Sequence, residues 1–222
     1  MRPVPRELYP FEGRYLEIGG VRMHYLDEGR GEAVLCVHGN PTWSFYYRRL
    51  VEALRDSHRV VVPDHIGCGL SDKPADECYP YTLARRVDDL EALIDHLGLE
   101  DLTLVVHDWG GAIGCGWAVR HPERVRRLVI LNTAAFHLPA GKRMPWQLSL
   151  VRDTPLGPLL VRGLNAFARG AAHTACTRVR MSRELQDAYC APYDSWAARR
   201  AVLRFVQDIP LRAGDPAHEP LS

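Results

Sequence analysis

Four short apolar runs, at residues 33–37, 59–63, 102–106 and 125–131, alternate with stretches of helical periodicity, and this alternation constrains the fold more than any other feature. Continuous apolar runs are what strands covered on both faces require. The intervening segments supply the cover. A helix beginning near Ser44 turns Tyr47, Leu50, Val51 and Leu54 inward. A second, capped by Thr82 and stopped by Gly98, presents Leu83, Val87, Leu90, Ile94 and Leu97. A third follows residue 108 and ends before Pro122. Strand and helix in turn predict an α/β fold with a mainly parallel sheet. Upstream, residues 15–26 alternate apolar and polar side chains around Gly19-Gly20, the signature of a hairpin. Beyond Phe136 the pattern changes: helical periodicity recurs at 156–167, 183–189 and 195–209, punctuated by Pro139, Pro145, Pro155, Pro158 and Pro192. An all-helical insertion after a sheet strand predicts a cap over the sheet edge.

Charge narrows the partners. Lys plus Arg number 28 against 27 Asp plus Glu, a net charge of +1, which gives no reason to invoke nucleic acid or an anionic membrane surface. The expected ligand is small and uncharged overall. The N-terminus lacks the apolar core of a signal peptide and no run reaches the roughly 18 apolar residues of a membrane span, so a cytoplasmic protein is expected. Six cysteines, at 36, 68, 78, 115, 176 and 190, show no CxxC spacing and read as reduced core residues.

The run at 102–106 continues into His107-Asp108-Trp109-Gly110-Gly111. Burial fixes the strand, the turn pushes the Asp108 side chain outward, and the helix N-terminus beyond it favours negative charge. A serine at such a turn needs a base to remove its proton. A carboxylate with an ordinary pKa near about 3.9 is already charged at neutral pH. Asp108 therefore suits attack on an alkyl carbon, although Asp is also a common helix N-cap. His38-Gly39-Asn40-Pro41 ends the run at 33–37, where Asn40 and Pro41 also suit an ordinary turn. His38 and His107 read as scaffold, and Gly67-Cys-Gly-Leu-Ser-Asp72 as a structural loop. Tyr189 and Tyr193 either line a substrate channel or pack as an amphipathic face.

With His38-Gly-Asn-Pro after one strand, Asp108-Trp-Gly after another and a helical cap behind both, the chain resembles the α/β-hydrolase superfamily in its haloalkane dehalogenase branch. Further phrases are similar to the β-lactone decarboxylases of bacterial long-chain olefin biosynthesis. These are His38-Gly-Asn-Pro-Thr-Trp-Ser-Phe-Tyr-Tyr-Arg, Pro63-Asp-His-Ile-Gly-Cys-Gly-Leu-Ser-Asp-Lys-Pro, Asn132-Thr-Ala-Ala-Phe, Pro139-Ala-Gly-Lys-Arg and Ala191-Pro-Tyr-Asp-Ser-Trp. Carried over, the resemblance makes Asp108 the nucleophile and the backbone N–H groups of Asn40 and Trp109 the anion hole. It also implies that the side chains of Asn40 and Trp109 hold a departing halide or a lactone oxygen. It implies decarboxylation of a cis-β-lactone to a cis-alkene, with haloalkane dehalogenase and epoxide hydrolase as the alternatives. Asn40 counts against the epoxide enzymes, which rely on cap tyrosines.

The family's catalytic His lies on a loop after the last sheet strand, whereas all ten His here lie at or before His218. The position after the sixth strand is Asn132 rather than the acid found there in some members. The expectation is thus an α/β-hydrolase fold truncated before its last two strands and not competent for full turnover. It comprises part of the core at 1–135, a helical cap at 136–212 and the start of the return at 213–222. A non-enzymatic fragment lacking the catalytic His is the reading from another class, with residues 127–131 left as an apolar sheet edge. No metal or organic cofactor is implied, because the nucleophile arrives charged. The partners implied are a small apolar substrate, either an alkyl β-lactone or a haloalkane, with room for assembly with other olefin-biosynthesis enzymes. Neither a membrane span nor nucleic acid is expected.

Overall fold

The computed structural model describes residues 3–134, 144–210 and Ala217. Six strands, β1 (Arg14–Ile18), β2 (Val21–Glu28), β3 (Glu32–Val37), β4 (His58–Pro63), β5 (Leu102–Asp108) and β6 (Val125–Thr133), form one sheet in the order β1-β2-β4-β3-β5-β6. β1 and β2 make the antiparallel hairpin expected around Gly19-Gly20, and β2 runs antiparallel to β4. β4, β3, β5 and β6 are parallel. The apolar runs are continuous because both faces are covered. Leu35, Val37, Val61, Leu104 and Val106 pack under α2 (Leu83–His96) and α3 (Trp109–Arg120). Val34, Cys36, Val60, Val62 and Val105 point the other way, onto Tyr47 and Val51 near α1 (Arg48–Leu54). Successive side chains of a strand leave on opposite faces, so one run feeds two cores.

The central helix α2 is built as its sequence predicts. The Thr82 hydroxyl accepts from the Arg85 N–H at 3.4 Å, and Gly98 leaves the helix at φ +57°. β6 departs from a buried strand: Leu128, Val129, Ile130 and Leu131 are all exposed, because among the described residues nothing pairs with its outer side.

Between residues 146 and 207 the regular elements are all helical: α4 (Trp146–Asp153), α5 (Leu156–Pro158) with a π turn over Leu159–Gly163, α6 (Ala166–Thr174), α7 (Arg183–Cys190), a 3-10 turn at Ala197–Arg199 and α8 (Arg200–Gln207). The helix expected at 156–167 is instead broken at Asn165, which adopts φ +55°, and a further helix begins there. α4 lies outside the expected segments, behind Pro145. The expected cap start at 136, the phrase at 139–143 and the return at 213–222, apart from Ala217, lie outside the described residues. The cysteines are free, as expected, but only Cys36 and Cys68 are buried; Cys78 and Cys176 sit exposed, outside any strand or helix.

Candidate active site

β5 ends at Asp108 with φ +51° and ψ −126°, and α3 starts at the next residue. This is left-handed territory that a side chain enters only at a cost of about 1–3 kcal/mol, and such strain concentrates at functional turns. The N-cap reading fails here, since the Asp108 side chain makes no cap hydrogen bond. It points instead toward the loop after β3, where the Asn40 backbone N–H donates to Oδ1 at 2.7 Å and the Trp109 N–H also supports the carboxylate. Burial pushes the Asp108 carboxyl above its ordinary value, against the pull of those N–H groups and of His107. Thr133 donates its hydroxyl to the Asp108 carbonyl, tying the turn to the end of β6.

Two glycines make the approach possible. A Cβ on Gly39 would collide with the Asp108 carboxyl group, and one on Gly110 with the Val37 carbonyl. Both contacts fall under the 3.0 Å that real Cβ atoms keep. Gly39 is therefore part of the cradle, a role its place in the His38-Gly-Asn-Pro phrase could have signalled.

The structure brings Asn40, Asp108 and Trp109 together beneath α8. The Trp109 ring packs on Phe205 with centroids 5.3 Å apart. The Asn40 side chain is engaged by the cap, its Nδ2 donating to the Val202 carbonyl at 3.1 Å while its Oδ1 is buried without a partner. The cap carbonyl thus takes one of the two N–H groups of the Asn40 amide, and the second is the one a leaving group would meet. Val202 and Phe205 were not legible as site neighbours, since an amphipathic helix shows which face is buried but not against what.

The histidines divide clearly. His38 is fully buried: its Nδ1–H faces the Gly39 carbonyl at 2.8 Å and its Nε2 accepts from the His65 N–H at 3.2 Å. Burial lowers its pKa, so it stays neutral and holds the loop. His107 stacks on Tyr46 at 4.4 Å, and burial lowers its pKa too. Tyr193 is fully buried and donates to the Thr42 carbonyl at 3.0 Å, while Tyr189 packs edge-on to Phe45. Both tyrosines thus pack the cap onto the core.

Beneath this loop lies a buried anchor that the sequence did not announce. Asp64, just after β4, accepts from His24 Nδ1 at 2.8 Å and from the N–H groups of Ser44 at 2.5 Å and Leu70 at 2.8 Å. Burial alone would raise its pKa, but the His24 contact and the Leu70 N–H hold it well below the carboxylate range. The Gly67–Asp72 loop is structural in this sense, with Ser71 Oγ bonding the Asp64 carbonyl at 2.6 Å. Among the described residues, no group of three or more His, Cys, Asp and Glu side chains could hold a metal ion. No helix there is long and apolar enough to cross a membrane.

A strained acid at the strand-helix turn, a carboxylate cradled by backbone N–H groups and a helical cap above the sheet define an α/β-hydrolase site. The family model for the alpha/beta hydrolase fold matches residues 32–217, and the chain belongs to this family of enzymes. It is 57% identical over 216 residues to a cis-3-alkyl-4-alkyloxetan-2-one decarboxylase of Shewanella oneidensis, covering 97% of this chain and 68% of that protein. A protein of the same name from Xanthomonas campestris is 50% identical over 218 residues, covering 94% and 72%. Among solved structures, a haloalkane dehalogenase from Agrobacterium tumefaciens superposes with a TM-score of 0.84 at 26% identity, covering 95% of this chain and 72% of that one.

Proposed function

We propose that Asp108 is the nucleophile of a β-lactone decarboxylase. The observation that carries the reading is the pose of its carboxylate: Oδ1 is held by the Asn40 N–H at 2.7 Å, which leaves Oδ2 as the attacking atom. Oδ2 attacks the β-carbon of a cis-β-lactone with inversion, forming an ester bond and breaking the ring C–O bond, whose electrons become a carboxylate on the neighbouring carbon. The C–C bond to that carboxylate then breaks to release carbon dioxide. Its electron pair forms the double bond as the ester C–O bond breaks, returning Asp108 to a carboxylate. Inversion followed by anti elimination is a net syn loss, so a cis lactone gives a cis alkene. No proton moves and no water attacks, so neither a base nor a cofactor takes part in these steps.

The names of the two relatives at 57% and 50% identity support the substrate. Incubating the protein with a cis-3,4-dialkyl-β-lactone, a bromoalkane and an epoxide separates the readings. Cis-alkene from the lactone, absent with Asp108→Asn, is the expected result. Bromide or diol release with no alkene would replace this reading with a hydrolytic one.

A further inference from the structure

Residues 154–183 contain five arginines (162, 169, 178, 180 and 183), one histidine and no Asp or Glu, in a chain whose total charge is only +1. Whole-chain balance conceals this block, which spans α5, the π turn, α6 and the loop to the start of α7. The same block is unusually apolar at its surface. Leu156, Leu159, Leu164 and Val179 are exposed, Leu164 by 61% and Val179 by 79%. Trp196, half exposed, joins them: a Cβ on Gly163 would touch both Leu159 and Trp196, and the Arg162 guanidinium lies 4.6 Å from the Trp196 ring centroid. Arg169, Arg178, Arg180 and Arg183 are likewise exposed. A cleft of about 960 Å³ beside α6 and α7 is lined by Leu164, Arg169, Arg183 and Arg199 and by two acids, Asp187 and Asp194.

We propose that this outer face of the cap docks on an anionic lipid surface. Exposed leucines, a valine and a tryptophan grouped with arginines make an apolar and basic surface larger than singly scattered apolar residues would. An interface between headgroups and acyl chains uses both, the apolar groups by burial and the arginines by pairing with lipid phosphates and carboxylates. Arginine's long stem also lets it lie along apolar surface while its charge reaches the headgroups. The recognition does not rest on the chemistry of Asp108. The proposed apolar lactone and alkene would give it a use, because a cap seated on lipid takes up and releases such molecules without carrying them through water.

The test is co-sedimentation of the whole chain with sucrose-loaded vesicles of phosphatidylcholine, alone or with about one third phosphatidylserine. The chain is expected to sediment with the anionic vesicles at low salt and to come off as salt rises. Binding to neutral vesicles is expected to be weaker by about a hundredfold or more. R178E/R180E/R183E, with substitutions only at exposed positions, is expected to fall to the neutral-vesicle level with an unchanged thermal melt. Leu164→Ser with Val179→Ser is expected to weaken binding at low salt, which a purely electrostatic contact would not show. Equal sedimentation with both vesicle types overturns the proposal, as does none with either, the latter leaving an acidic protein as the occupant of this face. Lactone turnover plays no part in these readouts, so failure of the decarboxylase reading leaves them intact.

Discussion

Gly39→Ala isolates the cradle of Asp108 from its chemistry, because the carboxylate itself is untouched. The added methyl carbon would lie 2.6 Å from the Asp108 carboxyl carbon and closer still to Oδ1. The carboxylate must then retreat from the Asn40 N–H that now holds it at 2.7 Å. A retreat of about 1 Å by a reacting group costs about 100-fold in rate. Overpacking of this kind costs about 1–3 kcal/mol of stability, and each 1 kcal/mol lowers the melting temperature by about 2–4 °C in a chain of this size. The variant should therefore remain folded but form the Asp108 ester about 100-fold more slowly with a reactive bromoalkane, measured by peptide mass spectrometry under single-turnover conditions. Gly170→Ala serves as control, since nothing lies within 4 Å of a Cβ there. Wild-type ester formation in a folded Gly39→Ala protein would refute the argument that this cradle sets the nucleophile.

Further outcomes follow from the same contacts. Asp108→Asn should abolish ester formation and raise the melting temperature by a few degrees at pH 7. The folded-state pKa of Asp108 is raised by burial, so the ionised group costs stability at any pH above that value. The gain should vanish below the unfolded carboxylate pKa of about 3.9, where the group is protonated in both states. Asp64→Asn should cost about 3–5 kcal/mol in urea unfolding, since it leaves His24 and two backbone N–H groups without their charged acceptor. Because the Asp64 pKa is depressed, the wild-type advantage is present above the unfolded carboxylate value and should shrink as pH falls below about 4. Gly170→Ala, in the middle of α6, should stabilise the protein by about 0.5–1 kcal/mol in the same assay.

What the sequence made legible is what depends on period and on local turns. α2, with Thr82 at its start and Gly98 at its end, and the two-faced strands β3 and β5 follow directly from spacing. Asp108 was legible because a charged residue at the end of a buried strand needs a reason. The structure brings Asp108, Asn40 and Trp109 together, and it also pairs the Asn40 amide with Val202, 162 residues away. Such distant pairings leave no trace in a local pattern. For the same reason Asp64 passed unnoticed, its partners coming from β2, the segment before α1 and its own loop. The cap was read only coarsely. Asn165 looks like any helix residue until its backbone turns left-handed, and α4 is short, following Pro145 and exposing Trp146. A single total of +1 likewise cannot show that one 30-residue block holds five arginines and no acids.

The most direct test of Asp108 as a covalent nucleophile is to trap its ester. After reaction with a bromoalkane, digestion and mass spectrometry should find one alkyl group on the peptide containing Asp108, removable by hydroxylamine as an ester is. Thioethers on the exposed Cys78 and Cys176 would resist that treatment. A folded protein alkylated only at cysteines, with Asp108 unmodified at every time point, would contradict the account.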